Sequence, residues 1–81
     1  MKITLGDPLG VPPGGRYDQW PVLRDGQNTG CKVVEGRRGY AFWIPSSLMR
    51  GESSNQWPYR PFREDARRDA EEWFKEREKG A

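Results

Sequence analysis

Polar and apolar residues alternate at the start of the chain, three apolar-rich stretches follow between glycine-bearing turns, and the period changes near the C-terminus. "KITL" (residues 2–5) puts Ile3 and Leu5 on one side of an extended backbone and predicts a first strand. Trp20–Arg24, Cys31–Glu35 and Tyr40–Ile44 predict three more, arranged as a meander. Their connections carry Asp25-Gly26, Asn28 and Gly30, then Gly36 and Gly39, residues that accept the positive φ of hairpin loops. The second connection has two readings. A type I turn at Arg37-Arg38 with Gly39 left-handed makes a three-residue loop; a four-residue loop shifts the pairing by one residue. In both, period two keeps Tyr40, Phe42 and Ile44 on one face and Ala41 with Trp43 on the other.

Between the first two strands, residues 6–19 ("GDPLGVPPGGRYDQ") are too rich in glycine and proline to continue a helix or a central strand, and read as a long loop. A loop of that length is either functional or poorly ordered, and composition does not choose between them. "PSSLMRG" reads as a single helical turn capped by Ser46 or Ser47 and ended by Gly51. "ESSNQWPYRPF" is loop or extended. From residue 61 the period lengthens: Phe62, Ala66, Ala70, Trp73 and Phe74 form one apolar stripe, predicting an amphipathic helix over 61–79. Glu64 and Asp65 favour its N-terminal end and Lys79 its C-terminal end, with Glu64–Arg68 and Glu71–Lys75 as supporting pairs. The expected fold is a small α+β domain: three or four antiparallel strands, curled into a partial barrel or not, covered by one C-terminal helix.

Composition narrows this picture. Eighty-one residues hold one core, so 1–81 is read as a single domain, and with a third of the residues apolar the ten aromatics must supply much of the stabilisation. No apolar run reaches a membrane span, and the first ten residues lack a secretory signal, so a cytoplasmic location is expected, with no membrane partner. A single cysteine, Cys31, cannot form an internal disulfide and reads as a small buried strand residue. The net charge of +2 is unevenly spread: residues 62–79 carry six basic and seven acidic groups, which leaves eight basic and five acidic, a net +3, elsewhere.

The chemistry expected from these residues is thin. There is no histidine, so nucleophilic and general acid–base mechanisms lose their usual partner, and one cysteine cannot build a zinc site. No enzyme activity, metal, cofactor or small-molecule substrate is expected. "GDPLGVPPGG" lacks the Gly-Lys-Ser/Thr ending of a phosphate loop and opens no helix. Pro58 and Pro61 in "WPYRP" have Pro-x-x-P spacing, but local packing of Trp57 and Tyr59 is the expected use.

Binding is the chemistry that remains. Trp43 faces away from the expected core and must be covered by the long loop, by barrel closure or by a partner. Arg37 and Arg38 at the hairpin tip and Lys32 on the preceding strand lie near it, and the end of the Gly/Pro loop adds Tyr17 and Trp20. These six residues are the expected partner-binding surface, because aromatics and arginine dominate interface energies. A basic hairpin with aromatics beside it also suits single-stranded nucleic acid.

"KVVEGRRGYAFWIPSSLM" resembles a pattern of short phage and prophage proteins in which a hairpin ends in Trp-Ile/Val-Pro-x-Ser and an apolar pair, with Lys32, Trp43, Ile44, Pro45, Ser47 and Leu48 in matching places. "RPFREDARRDAEEW" is similar to the helix starts of small phage-borne α+β domains. The resemblance implies a free-standing, non-enzymatic protein of phage or mobile-element origin. It further implies an inhibitor of a bacterial defence complex such as CRISPR–Cas, acting in the host cytoplasm by steric blocking as small anti-CRISPR proteins do. A single-stranded nucleic-acid-binding module is the alternative.

Overall fold

In the computed structural model, which describes residues 1–80, the four strands pair as one antiparallel sheet. They are β1 (Ile3–Leu5), β2 (Gln19–Arg24), β3 (Gln27–Gly36) and β4 (Gly39–Trp43), hydrogen-bonded in chain order. The ladder is open: β1 pairs only with β2, so the barrel stops half-way round. A single helix, α1 (Arg63–Lys79), lies across one face. The result is the α+β architecture expected from the change of period. No helix among the described residues is long and apolar enough to cross a membrane.

Each connection has a physical cause. Asp25 (φ 50°) and Gly26 (φ 83°) both take left-handed backbone, so the first hairpin closes in two residues and β3 begins at Gln27, four residues earlier than the apolar pattern suggests. The β2–β3 register shifts between Pro21 and Leu23, where side chains replace ladder bonds. The Thr29 hydroxyl donates to the Val22 carbonyl at 2.7 Å and accepts from the Cys31 N–H at 3.1 Å. This bulge keeps Cys31 and Val33 in phase with Val22 on the core face, all three fully buried. Burial pushes the Cys31 thiol up despite its hydrogen bond to Thr29, which keeps it protonated and unreactive.

At the second hairpin the ladder runs on to Gly36 opposite Gly39, leaving only Arg37 and Arg38 in the loop. The loop is therefore shorter than either register expected from sequence. Gly39 supplies the difference, because its φ of 124° lets the chain turn without a left-handed arginine.

The 6–19 segment is not a free loop. Gly6 donates to the Pro21 carbonyl at 2.9 Å and Leu9 to that of Gln19 at 2.8 Å, so the segment prolongs the β1–β2 ladder as an arm. Pro12 to Gly15 closes the tip in a type II turn, with Pro13 in second place and Gly14 (φ 79°) in third. Residues 46–48 form a single 3-10 turn that starts after Pro45 with no side-chain cap, so neither Ser46 nor Ser47 serves as expected.

The core lies between the sheet and α1. Ala66 and Ala70 let the helix approach, and Phe42 packs against Trp57 (ring centroids 4.9 Å apart) and Trp73 (5.8 Å). Tyr40, Phe42 and Ile44 share this side, as alternation predicts. Arginines lid the core rings: Arg63 sits 4.7 Å from the Trp20 ring centroid and Arg77 3.9 Å from that of Trp73. Arg67 ties α1 to the sheet edge by donating to the Ile3 carbonyl at 2.9 Å, which blunts an otherwise open strand. Glu64–Arg68 (3.5 Å) and Glu71–Lys75 (3.7 Å) form as the spacing predicts.

Phe62 departs from the expected stripe. The helix begins at Arg63, and Phe62 stands at the N-cap with extended backbone (φ −129°, ψ 147°) and 68% exposure. Pro61 disfavours helical backbone at Arg60 and admits extended backbone after itself, so the stripe starts at Ala66. The Phe62 side chain also offers no oxygen to the free N–H groups of the first turn. Phe62→Asp is therefore expected to stabilise the domain by about 1 kcal/mol, read as a raised midpoint in urea, because it adds a cap and removes an exposed ring.

Candidate partner-binding surface

The sheet face turned away from α1 carries the site. Lys32 pairs directly with Trp43 across β3 and β4, and its ammonium lies 5.4 Å from the indole centroid. Val34, two residues further along β3, falls on the same face.

The neighbouring edge of β4 is paired by residues 55–60. Trp57 donates to the Phe42 carbonyl at 2.9 Å, and Tyr40 exchanges both backbone bonds with Arg60. Gln56 stands opposite Trp43 but Arg60 opposite Tyr40, so the pairing slips by one residue at Pro58. That slip has a large consequence. Trp57 points into the core, whereas Tyr59, which strict alternation would send the same way, emerges on the outer face. Its ring lies over Gly36, where a Cβ would come within 2.6 Å of the phenol oxygen.

The outcome is a shallow cleft of about 390 Å³ whose lining includes Gln19, Lys32, Val34, Trp43, Gln56 and Tyr59. No residue of the 6–18 arm lines it, and the sheet does not close over it. Of the three covers for Trp43 expected from sequence, the fold therefore supplies neither the loop nor the closed barrel. Arg37 and Arg38 project at the end of the same ladder, just beyond Tyr59, and both are exposed. Among the described residues, no carboxylate lies within ion-pair distance of Lys32, Arg37 or Arg38.

Four of the six expected surface residues, Lys32, Arg37, Arg38 and Trp43, are thus brought together. Trp20 is not. It pairs with Val33 on the core face, is 8% exposed, and stacks against Tyr40 at 5.7 Å. Its position in β2 is one residue out of phase with the outer face, so it belongs to the core and not to the surface. Tyr17 is half-buried at the foot of the arm, outside the cleft. Tyr59 and Gln56 are the residues that sequence reasoning missed. The readable signal was Pro58: a proline within a paired extended segment marks a bulge or an edge, and a bulge changes which face the next residue takes.

No protein-family model, curated protein or solved structure matches the chain.

Proposed function

We propose that this is a non-enzymatic interaction protein of phage or mobile-element origin that inhibits a bacterial defence complex of the CRISPR–Cas kind by occupying its working surface. The observation that carries the reading is the outer face of the sheet, where half-buried Trp43 and Lys32 and exposed Tyr59 adjoin two unpaired arginines. A partly exposed tryptophan beside free guanidinium groups is the composition of an interface centre. The short sequence resemblance to phage proteins supplies the biological setting.

The test is a panel of bacterial strains, each carrying one active CRISPR–Cas type and challenged with a phage that it targets. Expression of the chain is expected to restore plating in at least one strain, and Trp43→Leu with Lys32→Glu is expected to abolish that rescue while the purified variant still melts cooperatively. Interference left intact in every strain would overturn the inhibitor reading.

A further inference from the structure

We infer that the outer sheet face binds single-stranded nucleic acid, with bases stacked on Trp43 and Tyr59 and phosphates held by Lys32, Arg37 and Arg38. The inference deepens the proposed function and rests on its reading of this face as the binding surface: the chain would occupy the complex's working surface by engaging the strand held there.

Charge placement is the first argument. On α1, Arg67 and Arg68 pair with Glu64, and Lys75 with Glu71, while Arg63 and Arg77 sit over the Trp20 and Trp73 rings. Arg60 is likewise held by Asp69 at 2.9 Å. The cations of the outer face and its hairpin tip have no such partners. One carboxylate, Glu35, lines the cleft and accepts from the Asp18 N–H at 3.3 Å, so the three cations outnumber it. A strand laid along β3 and β4 toward the tip would therefore meet a net positive charge.

Ring placement is the second. The register slip at Pro58 puts a second aromatic on the face that already holds Trp43. An aromatic-bearing sheet flanked by cations suits splayed bases, because every base has a π-face to stack, whereas a duplex presents none. Gln19 and Gln56 at the cleft add amides able to bond base edges. Lys32 now occupies the space over the indole. Its four-carbon stem lets the ammonium swing aside to a phosphate as a base takes its place.

The test is fluorescence anisotropy of the purified chain with labelled dT12 and rU12 between 50 and 200 mM salt. Three phosphate contacts predict a slope of log K against log salt of about −2, a loss of about 16-fold in affinity across that range. Arg37→Ser with Arg38→Ser, both in an exposed turn, should flatten the slope to about −0.7. Trp43→Leu should weaken binding at fixed salt by about 5- to 150-fold. Absence of binding at 50 mM salt would overturn the inference, as would a slope unmoved by the arginine changes. If oligonucleotides fail to bind while Trp43-dependent rescue of phage plating persists, the face meets protein and only this inference falls. If they bind as expected and no strain is rescued, the inhibitor reading falls and this one stands.

Discussion

Gly39→Ala is expected to unfold the domain, or to leave it with at least about 3 kcal/mol less stability, the largest loss among the glycine-to-alanine changes. Two independent effects coincide there. The backbone φ of 124° is one that an L side chain rarely adopts, and an added Cβ would fall far inside van der Waals contact of the Arg60 carbonyl oxygen. That oxygen cannot step aside, because it accepts the Tyr40 N–H at 2.8 Å and so fixes the 55–60 segment against β4. Gly36→Ala provides the graded control. Its Cβ would meet the Tyr59 ring at 2.6 to 2.8 Å, but a side chain can rotate away where a backbone carbonyl cannot. The cost there should be smaller, about 1 to 2 kcal/mol. Gly14→Ala meets nothing within 4 Å and pays only for its φ of 79°, about 1 kcal/mol. Urea denaturation of the three variants should rank them in that order. Equal losses at Gly14 and Gly39 would mean that backbone φ alone sets the cost and that the edge contact contributes nothing.

The same contact shows where sequence reasoning stops. Period two sorted Tyr40, Phe42 and Ile44 from Ala41 and Trp43 correctly, because alternation within one strand is a local property of the pleat. The helix was legible for a similar reason, since Ala66, Ala70, Trp73 and Phe74 repeat within a single element. What failed to show was set between elements. Tyr59 reaches the outer face through a slip in its pairing with β4. Trp20 sinks into the core because its register opposite Val33 puts it there. The arm at 6–18 is held by Gly6 and Leu9 donating to carbonyls of β2, a partnership that composition alone cannot reveal. Phe62 is the reverse case: it matches the helical period, yet the helix begins one residue after it. The candidate surface was therefore half readable, in Lys32, Trp43 and the arginine turn, and half a product of tertiary register.

Trp73→Ala should cost about 3 to 5 kcal/mol, enough to remove most of the stability of a domain this small. Trp73 is 8% exposed and meets Phe74 edge-on at 4.8 Å as well as Phe42 at 5.8 Å, so its loss opens a cavity that the helix backbone cannot collapse to fill. Its indole N–H also donates to Glu52 Oε1 at 2.9 Å, and Arg77 covers the ring while donating to the Leu48 carbonyl. Residues 48–52 are thereby strapped to α1 through one ring. Glu52→Gln tests the charge: its one oxygen still accepts the indole proton, but its NH2 cannot accept the Arg50 N–H that the second carboxylate oxygen takes. The indole bond first, then the Arg50 backbone N–H and the nearby Arg77, hold the Glu52 carboxyl below its usual value of 4.5. A depressed folded-state pKa gives stability that is present above about pH 4.5 and is lost as pH falls through the lower value. Glu64 is depressed in the same direction, chiefly by Arg67, so both carboxylates contribute to acid lability. In Glu52→Gln, thermal midpoints measured from pH 7 to pH 3 should fall less steeply than in the parent, whereas Trp73→Phe should keep most of the packing and lose the indole bond at every pH. An acid limb of equal steepness in Glu52→Gln and the parent would assign the lability to Glu64 and its neighbours on α1 instead of to the strap.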